Sequence, residues 1–208
     1  MDTNSPSLET LQDIRKIMDR STRFISLSGL SGISAGILAL IACYFASQMI
    51  TEYFVQSAFE GAGYQEYKNF VYKLLVLAGV LLAVAMAAAF YFTWRKAGRD
   101  KVSLWDINSR RMVINLAIPL AAGGVFILGM LYHGIWQFVV PASLMFYGLA
   151  LLNAGKYTYR DIRYLGMLQL IVGSASFFYI GYGLYFWAFG FGILHIIYGS
   201  IMWWKYER

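Results

Sequence analysis

Long stretches that are almost free of charged side chains are the feature that most constrains the fold of this chain. Four of them stand out: Phe24–Ile50, Phe70–Trp94, Met112–Tyr132 and Ile135–Ala154. A fifth runs from Tyr164 to Trp204 without Asp, Glu, Lys or Arg, and it is too long for one membrane crossing. A bilayer core of ~30 Å needs ~20 apolar helical residues. The glycines of Gly181-Tyr182-Gly183 predict a turn that divides the fifth stretch into two spans.

The composition favours lipid as the solvent for most of the surface. Of the 208 residues, 59% are hydrophobic and 13% are charged, whereas soluble domains have about 45–50% and ~25%. The sequence therefore predicts an all-α polytopic membrane protein with six transmembrane helices arranged as three in–out–in hairpins. The transmembrane domain is predicted over residues 24–208, with spans at about 24–50, 70–94, 112–132, 135–154, 162–182 and 184–204.

The basic residues predict the orientation of these spans, because cytoplasmic loops are enriched in Lys and Arg. With both termini inside, all basic residues except Lys68 and Lys73 fall in cytoplasmic segments. The predicted location is the cell (cytoplasmic) membrane. The formal charge of +6 follows this orientation, so we expect no nucleic-acid partner.

Residues 1–23 are predicted to form a short cytoplasmic or interfacial amphipathic helix. Leu8, Leu11, Ile14 and Met18 recur at helical spacing. This segment and the basic segment 95–111 are the predicted contacts for a cytoplasmic protein partner. The basic residues are also candidates for binding anionic membrane lipids, namely Arg95, Lys96, Arg99, Lys101, Arg110 and Arg111.

Small residues predict where helices approach closely, since helix association in lipid depends on close backbone contact. In the first span they are Ser28, Gly29, Gly32 and Gly36, and we expect this face to contact other spans, with the smooth second span as its neighbour. Gly192 and Gly199 form a similar face in the last span. The alternative is that the small-residue face of the first span forms the interface of a homo-oligomer.

The last four spans resemble one another as a duplicated hairpin. Tyr147-Gly148 recurs as Tyr198-Gly199, and Lys156-Tyr157 recurs as Lys205-Tyr206. If the repeat is real, its two copies are parallel repeats about an axis normal to the membrane.

Polar residues inside predicted spans are the candidate functional residues. His195 and Gln169 are expected at similar depths in the sixth and fifth spans, where they could hydrogen-bond to each other. Two interpretations remain open, a structural polar pair that fixes helix register and a ligand, ion or proton site. Pro119 and Pro141 are predicted helix kinks, because proline removes a backbone hydrogen bond.

No metal-binding, P-loop or paired-carboxylate motif is present in the sequence, and no cofactor is expected. Gly29-Leu30-Ser31-Gly32 together with His195 resembles the rhomboid intramembrane proteases, which pair a GxSG serine with a last-helix histidine on six helices. The resemblance would make Ser31 a nucleophile and His195 its base. This sequence departs from that family because the serine lies in the first span rather than the fourth, more than a turn nearer the cytoplasm than His195.

The segment from Ile14 to Gly36 (IRKIMDRSTRFISLSGLSGISAG) resembles that of a family of small bacterial six-helix membrane proteins to which no activity is assigned. The resemblance implies a bacterial cytoplasmic membrane. Three function classes remain: a non-enzymatic sensing or assembly module with cytoplasmic partner contacts, a small transporter or channel around His195 and Gln169, and an intramembrane enzyme. The near-absence of buried charge favours the first.

Overall fold

The computed structural model describes residues 27–60 and 63–208, and within them every regular element is helical. The predicted amphipathic helix of residues 1–23 and the first residues of the predicted first span lie outside the described residues. Five helical segments are long and apolar enough to cross a membrane: Gly29–Phe59, Tyr64–Asp100, Ile107–Tyr132, Trp136–Ala154 and Ile180–Tyr206. The chain is therefore an all-helical, multi-pass membrane protein.

The helices follow one another through short connections. They are α1 (Gly29–Glu60), α2 (Tyr64–Asp100), α3 (Ile107–Tyr132), α4 (Val139–Ala154), α5 (Asp161–Phe178), α6 (Gly183–Trp187) and α7 (Leu194–Tyr206). A π-helical segment, Ala188–Ile193, joins α6 to α7 without leaving helical backbone angles, so the three form one rod. Single 3₁₀ turns precede α4 (Trp136–Phe138) and α6 (Ile180–Tyr182).

Helix α5 corresponds to the predicted fifth span and contains charged and polar side chains. It has 18 residues and begins with Asp161, and both Arg163 and the buried Gln169 lie within it. It is not one of the five segments named above.

Local sequence signals explain where α2 ends and α3 begins. Lys101 takes a left-handed conformation (φ 51°) and its N–H bonds to the carbonyls of Ala97 and Gly98. Asp106 then caps α3, because its carboxylate accepts from the Ser109 N–H at 2.6 Å while the Ser109 hydroxyl accepts from the Asp106 N–H at 2.9 Å. Such a reciprocal cap satisfies two backbone donors that the helix itself leaves free.

Two close helix pairs lie at the centre of the bundle. Helix α1 packs along the rod that ends in α7, and α4 packs along α5. Helices α2 and α3 flank these pairs, since α2 packs mainly on α1 and α3 mainly on α4. In the apolar stretch of α2 that is long enough to cross a membrane, 0% of the residues are buried, and in the corresponding stretch of α3 6% are. The apolar outer surface of these two helices is what a lipid environment would cover.

The bundle has two distinct ends. At the first, which we call the terminal end, the start of α1, the end of α2, the connection 155–160 and the end of α7 contact one another. At the other end, an aromatic cluster joins α1, α2 and the turn before α4, with Tyr53 stacked on Phe70 at 4.3 Å and Trp136 against both Phe54 and Phe70 at 5.8 Å. The hairpin connections therefore alternate between two faces of the molecule.

Candidate functional site

The polar residues predicted inside the bundle come together around one backbone carbonyl, that of Gly190 in the π-helical segment. The Nδ1 atom of His195 lies 3.0 Å from this oxygen, and Nε2 of Gln169 donates to it at 2.8 Å. His195 is 5% exposed and Gln169 is 0% exposed. The two side chains are thus linked, through a shared acceptor rather than directly as the sequence suggested.

A tyrosine that sequence reasoning did not select completes the site. The hydroxyl of Tyr147 in α4 lies 2.8 Å from Nε2 of His195. Because a carbonyl can only accept, the contact with Gly190 places a hydrogen on Nδ1 of His195. A neutral imidazole then has Nε2 free to accept from the Tyr147 hydroxyl. Both ring nitrogens are satisfied without any further group.

Tight packing closes the surroundings of His195. The ring of Phe191 lies almost parallel to the imidazole at 6.0 Å, and that of Tyr147 lies at 5.3 Å. A Cβ atom on Gly190 would come within 2.4 Å of Cδ2 of Leu144 and 2.8 Å of Oε1 of Gln169, so a larger residue there would require both side chains to move. Among the described residues, two buried side-chain atoms have no hydrogen-bond partner, Oε1 of Gln169 and the hydroxyl of Tyr198.

The π-helical segment is the local device that makes this arrangement. Such π-helical segments are rare and occur mostly as single-turn bulges inside α-helices. Gly190 lies in this segment, where its carbonyl accepts from side chains of α5 and α7. The apolar sequence Ala188–Ile193 gives no periodic signal for a π turn, so sequence reasoning could not place it.

The small-residue stripe of α1 lies against the last helix. A Cβ on Gly199 would come within 2.5 Å of the Ile33 nitrogen and 2.6 Å of the Gly29 oxygen, and one on Gly32 would come within 3.0 Å of the Gly199 Cα. A Cβ on Gly36 would likewise come within 2.6 Å of the Gly192 carbonyl oxygen. The stripe therefore forms an intramolecular contact between α1 and the rod ending in α7. Helix α2 is also a neighbour of α1, but the glycines do not face it.

A buried ion pair lies at the terminal end, and the sequence did not predict it. Lys96 and Glu207 have side chains that are 3% and 4% exposed, with Nζ 3.8 Å from Oε1. Lys96 also donates to the Leu27 carbonyl at 2.8 Å and to the Tyr159 hydroxyl at 3.4 Å. The carboxylate of Glu207 accepts from the Ser28 hydroxyl at 3.1 Å and from the Gly29 N–H. We call the set of contacts formed by Lys96, Glu207, Tyr159 and residues 27–29 the terminal clasp.

The terminal clasp fixes the first turn of α1. Glu207 supplies the acceptor that the N-terminal N–H groups of α1 need, and a negative charge is favourable there. Burial, with a smaller contribution from the neighbouring Tyr206, raises the pKa of Tyr159 well above its ordinary value, so its hydroxyl stays protonated beside Lys96. Next to the clasp, Asp161 accepts from the Tyr206 hydroxyl at 2.7 Å and pairs with Lys205 at 3.1 Å.

Lys96 was predicted to bind lipid or a partner together with the neighbouring basic residues, and its burial shows that this prediction is wrong for Lys96. Its side chain turns into the bundle, where the carbonyl of Leu27 and the carboxylate of Glu207 replace water. The other members of the group have exposed side chains: Arg95, Arg99, Lys101, Arg110 and Arg111.

The prolines have different structural roles. Pro119 lies inside α3, as expected for an interrupted helix. Pro141 lies in the first turn of α4, after a 3₁₀ turn that contains Gln137. The predicted kink at Pro141 is therefore wrong, because the first turn of a helix lacks the backbone hydrogen bond that a proline would remove.

The arrangement required of a rhomboid-like serine protease is absent from the described residues. The Ser31 hydroxyl donates to the Ser28 carbonyl at 2.5 Å, and Nε2 of His195 contacts Tyr147 instead. A nucleophile and its base must lie within hydrogen-bond reach of each other. Within the same residues, no group of three or more His, Cys, Asp or Glu side chains could hold a metal ion.

Comparisons with known proteins add no relative, since no family model, no curated protein and no solved structure matches this chain.

Proposed function

We propose that this chain is a non-enzymatic sensing or assembly module of the cytoplasmic membrane, which crosses the bilayer six times with both termini and the basic segment 95–111 on the cytoplasmic side. The five apolar helices support a multi-pass protein. Helix α5 would be the remaining crossing. It packs along α4 over its length, and its polar start lies at the terminal end beside Lys205 and Tyr206.

The observation that carries this proposal is the terminal clasp. Residues 1–26 directly precede Leu27 in the sequence, and Lys96 and Glu207 bind Leu27, Ser28 and Gly29. Lys96 also lies within the segment 95–111, whose arginines are exposed. A partner bound to residues 1–23 or to this segment would thus act directly on the contact between α1, α2 and the C-terminal residues.

The interior of the bundle gives the transport alternative less support. A transporter or channel site at His195 requires a polar cavity that reaches it, whereas His195 is enclosed by Tyr147, Phe191 and Gly190. The donors of His195 and Gln169 are used within the protein. We interpret these residues as a structural polar pair that fixes the register of α4, α5 and α7.

Site-specific photo-crosslinking in intact cells tests the proposal. Trp105 is 72% exposed at the basic segment, and Tyr132 is 86% exposed at the opposite end. With benzoylphenylalanine in place of Trp105, we expect a discrete protein adduct that depends on residues 2–23. The matched control at Tyr132 should not give that adduct. The proposal is contradicted if Trp105 yields no protein adduct, or if both positions yield the same one.

A further inference from the structure

A groove on the lipid-facing side of the bundle, between α3 and the α4–α5 hairpin, has a basic mouth and apolar walls. Its volume is about 410 Å³. Its walls are formed by Pro119, Phe146, Leu149 and Leu152, and its mouth by Asn153, Lys156 and Arg163.

The groove has a defined depth. At its inner limit, α3 and α4 come into contact, because a Cβ on Gly123 would lie within 2.5 Å of the Phe146 Cβ. From Phe146 to Lys156 is ten residues of α4 and its end, or ~15 Å at 1.5 Å per residue. The polar end lies at the terminal end of the bundle, where the helices would leave the hydrocarbon.

The two cations at the mouth are exposed and lack a carboxylate partner among the described residues. The Lys156 ammonium donates to the neutral Asn153 amide oxygen at 3.1 Å, and the nearby Asp161 is engaged by Lys205 and Tyr206. The mouth therefore has two positive charges that nothing in this part of the chain neutralises. Basic pockets between transmembrane helices at the headgroup level are suited to anionic lipids.

From this charge complementarity we infer that the groove binds one anionic phospholipid, with its phosphate between Lys156 and Arg163 and an acyl chain along Leu152, Leu149 and Phe146. This site is separate from the basic segment 95–111 and from the terminal clasp. The inference goes beyond the proposed function and needs only that the chain spans a membrane.

Native mass spectrometry of the detergent-purified full chain tests it, with dioleoyl phosphatidylglycerol and dioleoyl phosphatidylcholine as probes. We expect one phosphatidylglycerol to be retained more tightly than phosphatidylcholine. Since each cation near the surface contributes a factor of about five, the Lys156→Gln/Arg163→Gln double variant should lose roughly 30-fold in affinity for that lipid. The Leu149→Trp variant, which fills the groove and keeps both charges, should also lose the retained lipid.

The control is Lys68→Gln/Lys73→Gln, which removes the same charge from exposed positions of α2 outside both the groove and the basic segment 95–111. It should leave the first phosphatidylglycerol in place. Equal retention of both lipids by the wild type, or equal losses in the two double variants, would overturn the inference. Displacement of the lipid by millimolar inorganic phosphate would overturn it as well, because the site would then recognise a free anion rather than a lipid.

Discussion

At the scale of single residues, the most consequential feature is a lysine and a glutamate that are both removed from solvent. Burial is unusual for both residue types, because Lys and Glu are almost never fully buried unless they are paired. Lys96 and Glu207 satisfy this condition with each other and with four neighbours, the carbonyl of Leu27, the hydroxyls of Ser28 and Tyr159, and the N–H of Gly29. The pair should therefore be sensitive to the loss of either member.

Lys96→Met should lower the free energy of unfolding by about 3 kcal/mol, because the carboxylate of Glu207 stays buried without its cation. Part of this loss should be recovered in Lys96→Met/Glu207→Gln, which removes both charges. The matched control is Arg99→Met, one turn away, which breaks only the exposed pair with Asp100 and should cost less than about 1 kcal/mol. Denaturant unfolding in detergent measures all three. Equal stabilities of Lys96→Met and Arg99→Met would show that the clasp does not stabilise the fold.

Sequence reasoning reached some of these residues and not others. The proximity of His195 and Gln169 could be expected. Lipid cannot satisfy polar side chains within apolar spans, so such side chains must find hydrogen-bond partners inside the protein. Tyr147 could not be assigned, since a tyrosine in a span is as compatible with lipid as with a hydrogen bond. The buried position of Lys96 was missed because a lysine next to Arg95 and Arg99 has the pattern of a solvated basic segment, and only the fold brings Glu207 to it.

At the scale of helices, glycines determine which pairs approach most closely. Gly148 and Gly166 bring α4 and α5 together, with a Cβ on either one 2.8–2.9 Å from the carbonyl of the other. Gly29, Gly32 and Gly199 do the same for α1 and α7. The sequence indicated both faces of the α1–α7 contact but not their pairing, because helical spacing shows that a face exists and not which helix covers it.

Gly199→Ala should destabilise the protein by roughly 2 kcal/mol, the usual cost of overpacking, because the new methyl group meets the backbone of Ile33 and Gly29. Gly129→Ala is the matched control in α3, where nothing lies within 4 Å of the Cβ position. It should be neutral or stabilising by up to about 1 kcal/mol through helix propensity. Thermal melting in detergent compares the two variants. A Gly199→Ala protein as stable as Gly129→Ala would mean that α1 and α7 are not in close contact.

At the scale of the whole molecule, the hydrophobic segments predicted the approximate positions of the five long apolar helices, since a bilayer requires apolar helices of a minimum length. The structure extends several of these helices beyond the apolar segments, as in α2, which runs from Tyr64 to Asp100 around the predicted span 70–94. The lateral order of the helices and the groove at Lys156 and Arg163 depend on contacts between distant parts of the chain, and no local pattern encodes them.

Cysteine labelling in intact cells tests most directly the proposed orientation, in which the basic terminal end lies on the cytoplasmic side of the membrane. In a Cys43→Ala background, which has no other cysteine, Lys101→Cys reports on the basic segment and His133→Cys on the opposite end. A membrane-impermeant maleimide should label His133→Cys in intact cells and Lys101→Cys only after permeabilisation. Labelling of Lys101→Cys in intact cells, with His133→Cys protected, would contradict the account.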